Sequence, residues 1–153
     1  MDTIHPMSFV IRRATDQDTS AILDCLRAAF EPYRLSYSVD AFRDTVPAPE
    51  ALRGRLATMI VLVAVEPTAG IVGTVAGGRF ENADGHLRGM AVMPTWQGSG
   101  VADDLLAAIE AELLTLGCAR ITLDTTEPLH KAIQFYRKHG YEPSGRVTDF
   151  FGM

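Results

Sequence analysis

The chain has 153 residues, 47% of them hydrophobic and 22% charged. That is the size of one domain and a balance that excludes a disordered chain. A formal charge of −5 argues against non-specific nucleic-acid binding, which needs a basic surface to release counterions. The longest apolar run, Met59 to Val65, is far short of the ~20 residues that span a bilayer. The first ten residues show no secretory pattern. Cys25 and Cys118 lie far apart with no CxxC spacing or His/Cys cluster. They read as two buried, reduced thiols in a cytoplasmic protein with no metal. Residues 8–153 are expected to form one domain after a flexible start over 1–7.

Phe9 to Arg12 is the first candidate strand. Thr15 and Asp18 have the spacing of a capping box. Ile22, Leu23, Leu26 and Phe30 follow as one helical stripe that Pro32 ends. From Glu31 to Glu50 the pattern predicts one short helix near Val39–Thr45 and otherwise loop. Ala57–Glu66 reads as a strand buried on both faces. A turn at Pro67–Gly70 leads into a strand over Ile71–Phe80, which makes an antiparallel hairpin. Asn82–Gly85 is a further turn and His86–Met93 a third strand of the series. After the loop Trp96–Gly100, Val101, Leu105, Leu106, Ile109, Leu113 and Leu116 line one face of a helix that Gly117 stops. Cys118–Asp124 is a strand. A last helix has Pro128 in its first turn, Leu129, Ala132, Ile133 and Tyr136 inward, and Gly140 at its end. Tyr141–Met153 would hold one or two terminal strands. The strand–loop–helix–strand unit implies a parallel crossover. The fold class is α+β (mixed α/β) around a single sheet.

The junction Met90-Ala91-Val92-Met93-Pro94-Thr95-Trp96-Gln97-Gly98-Ser99-Gly100-Val101-Ala102 carries the strongest chemical signal. Glycines let backbone amides face a concavity, and a helix N-terminus adds partial positive charge, which suits a phosphate or pyrophosphate. By spacing alone the loop reads equally as a tight turn with no ligand. No Lys-Ser/Thr follows the glycines, so it is no Walker A loop. Asp103 replaces the third glycine of a dinucleotide fingerprint.

Gln97-x-x-Gly100-x-Ala102, preceded by Ala91-Val92-x-Pro94, resembles motif A of the GCN5-related N-acetyltransferases. Ala132-Ile133-Gln134-Phe135-Tyr136-Arg137-Lys138-His139-Gly140-Tyr141 resembles the C-terminal helix of the same family. The order of elements fits too, so the resemblance covers nearly the whole chain. It implies a mostly antiparallel central sheet with flanking helices and with the fourth and fifth strands splayed apart. It also implies acetyl-CoA as co-substrate. The pantetheine arm would pair with the free edge at Met90, Ala91 and Val92. The pyrophosphate would lie on the amides of Gln97, Gly98, Ser99, Gly100, Val101, Ala102 and Asp103. Leu129 stands where the family often has a cofactor-binding Asn, so that contact is absent or falls to Thr125 or Thr126. The chain stops at Met153, where family members commonly continue into a full seventh strand. A short strand here, or a homodimer that completes the edge, would account for this.

Acetyl transfer to an amine needs the amine deprotonated, the carbonyl polarised and the leaving thiolate protonated. A free alkyl amine has a pKa near ~10.4, so the neutral form must be favoured. Position alone reads Tyr136 as a core aromatic; the resemblance gives it the general acid's place, with Phe135 a packing or cofactor contact. His86 precedes Met90 by four residues. It titrates in a useful range and is a candidate base, or a surface histidine after a turn. His86, Arg88 and Met90 share a strand face unless a bulge intervenes. Glu81 is the rival base. Glu31, Tyr33 and Tyr37 lie where the family binds its acceptor, and would suit a cationic amine or serve as loop packing. His5, His130 and His139 read as surface or local packing residues.

The sequence is read as an acetyl-CoA-dependent N-acetyltransferase that acts directly on a primary amine, without a metal or a cysteine intermediate. The acceptor is expected to be a small molecule. The alternatives are a protein lysine or N-terminal amine as acceptor, a non-catalytic CoA sensor, and a nucleotide-binding regulator.

Overall fold

A computed structural model describes residues 8–80, 83–125 and 129–143. Among these, five strands form one sheet in the order β1-β2-β3-β4-β5: Val10–Arg13, Ile60–Glu66, Gly70–Arg79, Asp84–Val92 and Arg120–Leu123. Neighbours are antiparallel except β4 and β5, which are parallel and joined through a helix. The helices are α1 (Thr19–Phe30), α2 (Val39–Thr45), α3 (Pro49–Thr58), α4 (Val101–Thr115) and α5 (His130–Lys138).

The sheet is covered on both faces. On one, Ile60, Leu62, Val75, Leu87 and Val92 pack against Val101, Leu105, Leu106, Ile109 and Leu113 of α4. On the other, Val61, Val63, Ala76 and Ala91 pack against Ile22, Leu23, Cys25 and Leu26 of α1 and Leu52 of α3. The unbroken apolar run of β2 is therefore two alternating faces, both buried. Two glycines of β3 bring α4 close to the sheet. A Cβ at Gly73 would lie 2.7 Å from Val101 Cγ1, and one at Gly77 2.9 Å from Ile109 Cγ1. That approach fixes the height of α4 and of the loop that opens it.

The start of α1 follows the capping box. After a 3-10 turn at Asp16–Asp18, the Asp18 carboxylate accepts from the Thr15 amide at 2.8 Å and from both Nη atoms of Arg12 at 2.7 and 2.9 Å. The hydrogen bonds from Arg12 pull the Asp18 pKa down to about 2, against the opposing effect of burial; the Thr15 amide and the Arg12 charge act with them. The depressed pKa means stability that is present above the ordinary carboxylate range and lost as pH falls through about 2. The Asp18 side chain is 11% exposed and that of Arg12 44%, so screening takes part of the effect. Asp18→Asn should lower stability by about 1–2 kcal/mol at pH 7 and flatten the acid limb between about pH 4 and pH 2. Urea unfolding at stepped pH measures both.

Several expectations need correction. The stretch after α2 holds a full helix, α3, so Ala57 and Thr58 are helical and β2 begins at Ile60. Only Leu52 of α3 is buried, and Gly54 interrupts it, so there was no apolar stripe to read. A 3-10 turn spans Glu31–Ser36. Leu116 is 43% exposed and caps α4 rather than lining its core face. β5 is shorter than Cys118–Asp124, and β4 begins earlier, at Asp84. The start over 1–7, Glu81, Thr126, Pro128 and, of the stretch Tyr141–Met153 expected to hold one or two terminal strands, residues 144–153 lie outside the described residues.

Candidate active site

β4 and β5 pair only from Asp84↔Arg120 to Leu87↔Leu123. β5 ends at Leu123, while β4 runs on to Val92. From Arg88 to Val92 this edge of β4 therefore has no strand beside it among the described residues. Apart from Val92 O, which accepts from Gln97 Nε2 at 3.3 Å, no strand takes the backbone groups of this edge, and an extended ligand can hydrogen-bond there as a strand would.

A bulge lies at the mouth of this opening. Thr74 pairs with Ala91 and Ala76 with Arg88, so two steps on β3 face three on β4. Gly89 takes φ +71, a left-handed conformation that suits glycine. The extra residue reverses the alternation. Leu87 and Val92 face α4 together, while Ala91 faces α1. Met90 accordingly packs against the α4 core, and the expectation that His86, Arg88 and Met90 share a face fails at Gly89.

β4 leads through the 3-10 turn Pro94–Trp96 to the glycine loop. Gly98 and Gly100 have φ +80 and +92, and a Cβ at either would meet open space. Gln97 Nε2 donates to Val92 O at 3.3 Å, and the Ser99 hydroxyl donates to Trp96 O. These two bonds fold the loop back on the strand end. The first helical amide to find an acceptor is that of Asp104, on Gly100 O at 3.1 Å. The amides of Val101, Ala102 and Asp103 point out of the helix N-terminus without a carbonyl among the described residues. Free amides, a positive helix end and glycines that leave the space empty together fit a pyrophosphate.

Helix α5 brings Phe135 and Tyr136 against the same core that Met90 joins. Polar ties to α4 hold it, among them Lys138 Nζ at 4.0 Å from Asp103 Oδ1. His139 Nε2 lies 2.7 Å from Asp103 Oδ1, and the Tyr141 hydroxyl donates to Glu110 Oε2 at 2.9 Å. The Tyr136 ring meets Phe135 and Tyr141 edge-on, with centroids 5.3 and 5.7 Å apart. Its hydroxyl has no hydrogen-bond partner among the described residues. Burial pushes its pKa up to about 12, so the phenol keeps its proton throughout the neutral range. Reading the sequence missed the Asp103–His139 tie: His139 passed for a packing residue, and nothing local shows that it reaches the first turn of α4.

His86 sits on the α1–α3 side, at the closed end of the opening. Its Nδ1 is 2.8 Å from Thr122 Oγ1 and its Nε2 3.6 Å from Asp124 Oδ2. At about 3.3 Å per strand residue, it lies roughly 13 Å along β4 from Met90. Glu31 pairs with Arg34 at 3.2 Å, and the Arg34 guanidinium stacks 4.9 Å from the Phe42 ring, which also meets Tyr37. The negative charge expected at the acceptor side is thus already matched. Cys25 is fully buried behind β4, where burial pushes its thiol up to about 12 against a smaller pull from a hydrogen bond with the Met93 backbone. Cys118 is buried too. Neither sulfur is exposed to the opening. Among the described residues no group of three or more His, Cys, Asp or Glu could hold a metal, and no helix is long and apolar enough to cross a membrane.

The model of the acetyltransferase (GNAT) family matches residues 19–141. The chain belongs to that family. Over 66 residues it is 39% identical to an aminoglycoside N(6')-acetyltransferase type 1 of Stenotrophomonas maltophilia; the match covers 43% of each chain, so it spans under half the length of that relative. The PaiA N-acetyltransferase of Thermoplasma acidophilum, solved with coenzyme A, superposes with a TM-score of 0.81 over 93% of this chain and 94% of that one, at 17% identity. A GNAT-family acetyltransferase from Brucella melitensis, solved with acetyl-CoA, gives a TM-score of 0.68 at 26% identity, over 90% and 84% of the two chains.

Proposed function

We propose that the chain transfers an acetyl group from acetyl-CoA directly to the primary amine of a small molecule. The observation that carries this reading is the continuity of one path. The unpaired edge Met90–Val92 leads into the amides of the glycine loop, and Tyr136 packs against the same core as Met90. Relatives crystallised with coenzyme A and acetyl-CoA support the choice of donor. The edge would take the amides of the pantetheine arm, and the amides of Gly98, Gly100, Val101, Ala102 and Asp103 would take the pyrophosphate; those of Gln97 and Ser99 are turned away to Pro94 O and Trp96 O, at 3.4 and 3.3 Å.

The thioester supplies an activated acetyl group; the residues do the rest. The β4 edge orients the arm so that its sulfur lies near Tyr136. The phenol, protonated at neutral pH, donates to the sulfur as the C–S bond breaks. The amine displaces the thiolate, forming the amide bond. The burial of both cysteines supports a single displacement rather than transfer through the enzyme.

His86 is too far down the strand to touch an amine at Met90, so its role as base runs through intervening water. If it relays that proton, His86→Ala changes the pH dependence of kcat/KM. The pH dependence of kcat/KM for both proteins measures it. An unchanged profile moves the base role to Glu81, to ordered water or to no residue at all. The reading as a whole is tested by thiol release from acetyl-CoA across an amine library. Stabilisation by CoA without turnover of any amine supports a sensor, and release only with peptide lysines or N-termini supports a protein acceptor. Stabilisation by ATP but not by CoA supports the nucleotide-binding regulator.

A further inference from the structure

On the face of β4 away from α4, beside the bulge, lies an open cleft of about 260 Å³. Arg43 and Asp44 of α2, Arg55 and Met59 of α3 and Arg88 of β4 line it. The position is tied to the candidate acetyl site. A Cβ on Gly89 would lie 3.0 Å from Arg55 Nη1, and Gly89 adjoins Met90, the first residue of the proposed pantetheine edge.

The cleft reverses the sign of the molecule. The chain carries −5 overall, yet here three guanidinium groups meet one carboxylate. That carboxylate is already taken, because Asp44 pairs with Arg88. The Arg55 guanidinium makes no hydrogen bond or salt bridge among the described residues, although it is partly buried. Burial lowers its pKa from the ordinary value and Arg88 acts in the same direction; Asp44 opposes them. No side-chain nitrogen among the described residues is buried without a partner, so water reaches the Arg55 donors; a partly desolvated cation still gains from an anion that replaces that water. The planar fork of arginine matches two oxygens of a carboxylate or phosphate. A polycationic amine would instead meet like charge.

We infer that the acceptor amine carries an anionic oxygen group, a carboxylate or a phosphate, which Arg55 binds beside the β4 bulge with Arg88 and Arg43 around it. This rests on the acetyltransferase reading above and adds the class of acceptor. The group would be held on one side of Gly89 while the amine reaches across the bulge to the acetyl carbon.

The test compares matched amines by thiol release: phenylalanine with phenylalaninamide, 2-aminoethylphosphonate with ethanolamine, and spermidine as the polycation. Amine basicity differs within a pair, so each ratio is read against the Arg55→Gln variant, where that difference cancels. The expected result is a kcat/KM about 10-fold or more higher for the anionic member of at least one pair, the size of a charge-assisted hydrogen bond. The pair that shows it separates carboxylate from phosphate. In Arg55→Gln the ratio of the anionic to the neutral member falls by about that factor relative to wild type, chiefly through KM. If that variant fails to fold, Arg88→Gln carries the same comparison. Unchanged ratios in the variants, spermidine as the best acceptor, or no amine acetylated while CoA still raises the melting temperature overturn the inference and leave the CoA site standing. Absence of any CoA-dependent rise overturns the acetyltransferase reading itself.

Discussion

Tyr136→Phe is expected to lower kcat by roughly 10²–10⁴-fold, the usual worth of a positioned general acid. The substitution keeps the ring, its edge contacts with Phe135 and Tyr141 and its place against the α4 core. It removes only a hydroxyl that has no hydrogen-bond partner among the described residues, so stability and CoA affinity should stay near wild type. Burial holds the wild-type phenol near 12. The acid therefore stays protonated, and kcat should show no falling limb from it below about pH 11. Steady-state kinetics from pH 6 to pH 10 with a saturating amine, beside a melting curve for each protein, separate the outcomes. A drop in kcat with an unchanged melting temperature marks an acid. A drop in melting temperature with kcat intact marks a structural hydroxyl, and the thiolate then takes its proton from water or the amine.

The second large effect concerns the loop. At [CoA] about 100 times Kd, ligand binding to the folded state alone adds about 2.7 kcal/mol of stability. Gly100→Val should abolish that gain. Gly100 sits at φ +92 with open space where a side chain would project. A β-branched residue resists that φ, and its methyl groups would occupy the place proposed for the pyrophosphate. Because the strain alone lowers the melting temperature of the unliganded protein, the quantity to compare is the shift on adding CoA, not the absolute value. Gly54→Val, on α3 with nothing within 4 Å of its Cβ, is the control; it should keep the full shift. Equal shifts in Gly100→Val and wild type would remove the loop from the cofactor site.

The parts of this fold that were legible share a cause. β2, α1 and α4 carry long, regular apolar patterns, and the glycine junction lies between two of the clearest elements. α3 was illegible because it exposes nearly all of itself: a helix with one buried leucine has no periodicity to detect. The bulge was illegible because its signal is a single glycine whose φ depends on the pairing with β3. Alternation from His86 to Met90 therefore gave the wrong face for Met90. The arginine cleft was out of reach for another reason. Arg43 and Asp44 sit on the short helix expected near Val39–Thr45, but Arg55 sits on α3, which was not foreseen, and in sequence their charges look like ordinary solvated faces. Only the packing of α2 and α3 over β4 puts them around one space. The family motifs, by contrast, are local in sequence. They located the loop and the C-terminal helix without any knowledge of the sheet.

The central claim is direct transfer of an acetyl group from acetyl-CoA to an amine at the open edge of β4. Intact mass measurement of the protein and of the amine, run alongside thiol release, tests it most directly. Incubation with acetyl-CoA alone should leave the protein mass unchanged, as expected when Cys25 and Cys118 are both buried. Adding the acceptor amine should then release one thiol for each acetylated amine formed. A protein that gains an acetyl group before amine is added, and loses it afterwards, would contradict the account. So would thiol release that never depends on an amine.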